Sequence, residues 1–288
     1  MNTDIFETFA YAKINLGIAV KGKRPDGYHE LQMVMQTIGL HDTVRLSLLE
    51  KDEIRCLCGS LSGPKNLAYQ AAKLFKEGLN SRQGIRIEIE KRVPIQAGLG
   101  GGSADAAATL GGLNRLFNRP YSQEEILRLA NQLGSDVAFC LNGGTQWAEG
   151  RGEILLHLPK APEMPLVVVK PQQGINTGES YRMFDRLGES HPLSLEAWQG
   201  ALQSGSAAKI ASLLSNDLEA GSQAILPVIA SLKEELRREG CQGVLMSGSG
   251  SAVFGIAPSA KRAQEIAHSL TKKGYSVWAT KTISPKYT

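Results

Sequence analysis

The sequence predicts an α/β or α+β protein of two domains, and three observations carry that reading. Short strand-like runs alternate with longer stretches of helical periodicity along the whole chain. The 288 residues exceed what one domain usually holds, since domains run to about 100–200 residues. The segment LPKAPEMP, residues 158–165, places three prolines in eight positions and runs into the strand-like PLVVVK. The boundary is therefore expected near Leu158, giving domains of residues 1–158 and 159–288.

Individual elements follow from local pattern. IRIEIE, from Ile85 to Glu90, alternates apolar and charged side chains and predicts a half-exposed strand. From Ser122, SQEEILRLANQLG has a serine cap, early glutamates and apolar residues at helical spacing, and it stops at Gly134. Past the linker, 207–214 and 226–239 read as helices. Gly243 to Phe254 reads as strand, glycine-serine turn and strand, Ala260 to Lys273 as a last helix, and YSVWATKT as a closing strand. This order suits a small sheet with helices packed on one face.

Composition narrows the function. With 42% hydrophobic and 21% charged residues, the chain buries an ordinary core and needs no disulfide or metal to fold. A net charge of +4 without a dense Lys/Arg block argues against a nucleic-acid partner and suits an anionic small substrate. Asp4 and Glu7 interrupt the start of the chain, so no signal peptide is read there. No run approaches the ~20 apolar residues of a membrane helix, so no membrane partner is expected. Cys56, Cys58, Cys140 and Cys241 match no zinc or disulfide framework and read as reduced thiols in a cytoplasmic protein.

The most informative segment is VPIQAGLGGGSADAAATLGGLNRLF. Gly98, Gly100, Gly101 and Gly102 add nothing to a core; their value is that backbone takes positive φ and approaches a ligand closely. Ser103 then reads as the cap of an alanine-rich helix, with Asp105 in its first turn. A loop of free N–H groups feeding a helix N-terminus is an anion site, and phosphate is its natural ligand. The plainer reading is a flexible turn. No lysine follows Gly102, as a Walker loop requires, and the position and spacing of a dinucleotide fingerprint do not fit.

GLGGGSADAA, together with AKINLGIAV near the start and LMSGSGSAVFG near the end, resembles the GHMP kinase superfamily. RPDGYHEL, from Arg24 to Leu31, and LGSDVAFCLNGG, residues 133–144, resemble its branch acting on a CDP-linked sugar alcohol. The resemblance implies an α+β fold of two domains: a first half like ribosomal protein S5 domain 2, a ferredoxin-like second half, and an active site in the cleft between them. It implies ATP as co-substrate with Mg²⁺, and transfer of the γ-phosphoryl group to the 2-hydroxyl of 4-CDP-2-C-methyl-D-erythritol. That is a step of the non-mevalonate route to isoprenoid precursors.

Site residues follow from the same resemblance. ATP phosphates would lie on Gly98, Leu99, Gly100, Gly101, Gly102 and Ser103. Asp136, which on its own reads as a cap for a short helix, would be the general base, and Lys13 would orient it and stabilise developing charge. Asn15, on the same strand face as Lys13, would bond the substrate. Tyr28 would stack on cytosine, His29 would bond its edge, and Thr177 and Tyr181 would supply a further contact and a second ring. Gly248 would line the substrate side as its turn packs on the glycine loop, and Asn66 would cap a helix on the adenine side. No protein ligand of the metal is assigned. Alternatives remain a homoserine- or mevalonate-type kinase, against which Tyr28 and His29 argue, and a non-catalytic nucleotide sensor, against which Lys13 and Asp136 argue.

Overall fold

The computed structural model describes residues 5–285. Its first half is built on a long antiparallel pair, β1 (Phe6–Lys23) and β2 (His29–Leu49). Around it lie β3 (Ile54–Leu57), α1 (Leu67–Leu79), β4 (Gly84–Glu90), α2 (Gly101–Leu116), α3 (Gln123–Leu133), α4 (Ser135–Asn142), β5 (Thr145–Gly150) and β6 (Ile154–His157). The second half runs β7 (Pro165–Lys170), α5 (Thr177–Leu187), α6 (Leu195–Gln203), α7 (Ala207–Ser212), β8 (Ser215–Asn216), α8 (Glu219–Ile225) and α9 (Val228–Arg238). It closes with β9 (Val244–Met246), β10 (Val253–Ile256), α10 (Ala260–Lys272) and β11 (Ser276–Lys281).

The strands form two sheets. One has seven strands in the order β3-β4-β2-β1-β8, with the β5–β6 hairpin also pairing to β2. The other orders its four strands β11-β7-β10-β9, every neighbour antiparallel. With α9 before β9 and α10 before β11, this is the β-α-β-β-α-β arrangement of a ferredoxin-like unit, as expected.

Strand alternation explains how the layers meet. Ala12, Ile14 and Leu16 of β1 share one core with Leu166, Val168, Phe254 and Ile256 of the second sheet, and with Trp198 of α6 and Ile210 of α7. Val167, Val169 and Val253 belong instead to a core with Ile229 and Leu232 of α9 and Ile266 of α10. Lys13 and Asn15 therefore point away from the inter-sheet core, to the side of β1 where α2 and α4 pack.

Local signals hold at the predicted elements. Ser122 caps α3 in a capping box with Glu125, and Gly134 ends it. Asn66 caps α1. Sequence reading did not find α5, α6, α8 or the two-residue β8. The halves also interlock: β8 pairs in parallel with Gly17 and Ile18 of β1, and the Ile283 N–H donates to the Thr37 carbonyl of β2.

Candidate functional site

A cavity of about 1140 Å³ lies where β1, α2, α4, α5 and the turn between β9 and β10 meet. Lys13, Asn15, Gly98 to Ser103, Asp136, Thr177, Tyr181 and Gly248 all line it.

Its glycine-loop side is built by close backbone contact. Gly98 has φ +71°, and a Cβ there would stand 1.9 Å from the Ser247 carbonyl oxygen, so only glycine lets this loop meet the β9–β10 turn. Ser247 Oγ donates to the Gly98 carbonyl at 2.9 Å, and the Lys13 N–H donates to the Leu99 carbonyl at 3.0 Å. The α2 helix begins earlier than the sequence suggested. Gly100, at φ +67°, is its N-cap and no side chain caps it. Ser103 is therefore not the cap but lies inside the first turn, because a left-handed glycine has already turned the chain into the helix. The first N–H groups are thereby left without a side-chain acceptor, an arrangement that favours an anion at a helix start.

Asp105 departs from expectation too. It lies beyond the first turn, buried, and bonded to Lys91 Nζ at 2.8 Å. Lys91 also pairs with Asp42, whose other oxygen takes the Val93 N–H at 2.7 Å. Burial, aided by the nearby charge of Asp42 and opposed by Lys91, pushes the Asp105 carboxyl up to about 7. Its Oδ1 is buried without a hydrogen-bond partner. Sequence reading missed the Lys91–Asp42 pair, because 49 positions separate two residues that fold brings together.

Lys13 and Asp136 are brought together from distant elements. Lys13 is 5% exposed, and its Nζ donates to Asn15 Oδ1 at 2.6 Å and lies 3.7 Å from Asp136 Oδ2. Asp136 is not a helix cap: Gly134 is the N-cap of α4, and Asp136 sits in the first turn, where the helix dipole favours a carboxylate. Cys140, one turn on, is fully buried, and burial first, then the charge of Asp136, raises its thiol far above the ordinary range. It is an inert core thiol.

The residues expected at the base end are only partly brought together. His29 and Tyr181 stack on each other, centroids 4.8 Å apart at 19°, and His29 Nε2 meets Asp185 Oδ1 at 2.6 Å. Tyr28 and His29 lie outside the cavity lining; Tyr28 is 58% exposed, and the cavity-lining Arg151 lies 4.8 Å over its ring. Thr177 Oγ1 is 3.0 Å from Ser249 Oγ, tying α5 to the β9–β10 turn. Asp185 was missed, although it follows Tyr181 by four residues and so shares its helix face. Arg151 carried no signal beyond its charge.

Among the described residues no cluster of three or more His, Cys, Asp or Glu side chains could hold a metal ion, and no helix is long and apolar enough to cross a membrane.

Comparison with known proteins gives a consistent result. Residues 66–144 match the model of the GHMP kinases N terminal domain, and residues 198–276 that of the GHMP kinases C terminal. The chain is 57% identical over 278 residues to a 4-diphosphocytidyl-2-C-methyl-D-erythritol kinase of Desulfitobacterium hafniense (strain Y51), with 96% of each chain covered. Its counterpart in Bacillus subtilis (strain 168) is 43% identical over 277 residues, covering 95% of this chain and 96% of that one. A crystal structure of 4-(cytidine 5'-diphospho)-2C-methyl-D-erythritol kinase superposes with a TM-score of 0.85 at 35% identity, covering 97% of this chain and all of that one.

Proposed function

Because the chain belongs to the GHMP kinases, and among them to the 4-diphosphocytidyl-2-C-methyl-D-erythritol kinases, we propose that it transfers the γ-phosphoryl group of ATP to the 2-hydroxyl of 4-CDP-2-C-methyl-D-erythritol, giving the 2-phosphate and ADP. The observation that carries the proposal is the approach of Lys13 to Asp136, 3.7 Å apart, in a cleft whose neighbouring wall is an uncapped helix N-terminus.

The residues divide the work. Phosphates rest on the N–H groups at the start of α2, where orphan donors and the helix dipole both favour negative charge. Asp136 accepts the proton of the attacking hydroxyl. Lys13, held by Asn15 and almost wholly out of water, presents its ammonium toward the charge that develops during transfer. Positioning and charge stabilisation carry most of the rate, since phosphoryl transfer proceeds through a loose transition state. Tyr28, His29 and Tyr181 form the cytosine end. The aromatic pair His29–Tyr181 offers a flat face, and Tyr28 closes on the base from the rim.

Mg²⁺ would be held through the nucleotide phosphates and one or two protein oxygens, as it commonly is. The Ser103 hydroxyl, freed from capping, would supply one such oxygen, and the unpartnered Asp105 Oδ1 another once its carboxyl gives up its proton. When bound, the ion neutralises phosphate charge.

ADP release is measured with ATP, Mg²⁺ and each of three alcohols: 4-CDP-2-C-methyl-D-erythritol, homoserine and mevalonate. Turnover with the CDP compound alone is expected. Asp136→Asn should lower kcat by about 10²–10⁴-fold with the ATP KM nearly unchanged. Near-normal turnover in that variant would remove Asp136 as the base, and turnover with homoserine or mevalonate instead would overturn the substrate.

A further inference from the structure

The turn 247–250 stands at the centre of the site without regular structure of its own. Ser247 Oγ donates to the Gly98 carbonyl and receives the Asn15 N–H at 3.3 Å, so one hydroxyl joins the glycine loop to the strand that carries Lys13. Gly248 follows, and a Cβ there would lie 3.4 Å from Lys13 Nζ. A glycine-serine segment has little conformational preference of its own, and this turn is held from several sides: Ser249 Oγ meets Thr177 Oγ1, and the Ser249 carbonyl accepts the Ser222 hydroxyl at 3.2 Å.

On the Met246 and Gly248 side the support comes from the segment 215–219, to which the phosphoryl-transfer scheme gives no part. The Asn216 Nδ2 donates to two carbonyls, Met246 at 2.9 Å and Gly248 at 2.8 Å, which flank Ser247 on either side. Its Oδ1 accepts the Leu218 N–H at 3.0 Å, so the carboxamide is engaged at both ends. The segment itself is mounted on the Lys13 strand. Ser215 and Asn216 pair with Gly17 and Ile18, the Asp217 N–H donates to the Ile18 carbonyl at 3.1 Å, and Asp217 Oδ2 accepts the Val20 N–H at 2.8 Å. Glu219, paired with Lys233, takes the Met246 N–H at 2.9 Å.

We infer that Asn216 is a positioning residue for phosphoryl transfer: it measures the place of Ser247 and Gly248 from the same strand that carries Lys13 and Asn15. Both of its N–H hydrogens face carbonyls, so the role needs a double donor. An aspartate has the same shape and, when ionised, sets an acceptor against two acceptors. When protonated it regains one donor.

The inference rests on the phosphoryl-transfer reading, and wild-type turnover in the same assay separates the two: no wild-type turnover with the CDP substrate fails that reading, not this one. Asn216→Ala and Asn216→Asp are compared with wild type for kcat, for the ATP and alcohol KM values and for melting temperature, from pH 5.5 to 8.5. Asn216→Ala is expected to lose about 10²-fold in kcat, the scale of a 1 Å misplacement, with both KM values within threefold. Asn216→Asp is expected to match that loss at pH 8.5, and its kcat ratio to wild type should rise as pH falls. The ionisable groups around the new carboxyl are Asp217 beside it, His191 paired with Asp217, Glu219 of α8, Lys233 of α9 and, across Gly248, Lys13 of β1, all common to both proteins, so the ratio isolates the substitution. A merely structural asparagine would lower the melting temperature and leave kcat per folded molecule, and its pH profile, as in wild type. A ratio flat with pH, or kcat within threefold of wild type in Asn216→Asp, overturns the inference. Should Asn216→Ala fail to fold, the Asn216→Asp profile decides alone.

Discussion

Replacing Gly98 by alanine tests whether the glycine loop works by close backbone approach. The perturbation is a single methyl group with two consequences. At φ +71° an L-residue carries a left-handed strain of about 1–2 kcal/mol. The new Cβ would also meet the Ser247 carbonyl oxygen at 1.9 Å, where contacts below 3.0 Å do not persist. The obstacle is backbone, so no rotamer change relieves it, and loop and turn must part by about 1 Å. A displacement of that size in a positioning element costs about 10²-fold in rate. The assay is steady-state ADP release with the CDP substrate, alongside thermal melts with and without ATP–Mg²⁺. Gly98→Ala should lose about 10²-fold in kcat and melt lower than wild type. Gly200→Ala is the control: a Cβ there meets nothing within 4 Å, and in the interior of α6 the change should hold kcat and add up to about 1 kcal/mol of stability. A folded Gly98→Ala enzyme within threefold of wild-type kcat would refute the reasoning.

Two further outcomes follow from the site. Tyr28→Ala removes one stacking face worth about 1–3 kcal/mol, so the KM for the CDP substrate should rise about 5–150-fold with kcat little changed; an unchanged KM in steady-state kinetics counts against stacking. Asp105, raised to about 7, keeps a proton in the folded chain that the unfolded chain releases near its ordinary value of 3.8. Its contribution to stability is thus full below that ordinary value and is lost as pH rises through about 7. Asp105→Asn lacks this dependence and should gain in melting temperature relative to wild type between pH 4 and 8; parallel curves would sink the assignment.

Much of this was legible in the sequence where local chemistry decides structure. The capped helix from Ser122 to Gly134 and the alternation of IRIEIE depend on neighbours a few positions away. The glycine run was legible as a loop of close approach, and Gly98 bears this out, since a Cβ there would meet the Ser247 backbone. Ser103 misled for the same local reason: serine is a good cap, but nothing in its neighbourhood reveals that Gly100 has already turned the chain. Long-range partners were out of reach. The Lys91, Asp42 and Asp105 cluster draws on β2, on the segment after β4 and on α2, and Asn216 meets Met246 across 30 positions. Helices α5 and α6 were passed over between clearer signals, although Asn176 and Ser194 cap them in the ordinary way.

The interlocking of the two halves bears on how the molecule comes apart and how it moves. A cut near Leu158 would strip β1 of its β8 neighbour and β2 of its bond to Ile283, leaving each fragment with exposed sheet edges. Unfolding should then proceed as one cooperative transition. The same cross-connections oppose a clam-like hinge between lobes, because opening would shear backbone ladder bonds along with side-chain contacts. The back wall of the cleft should therefore stay fixed as substrates enter.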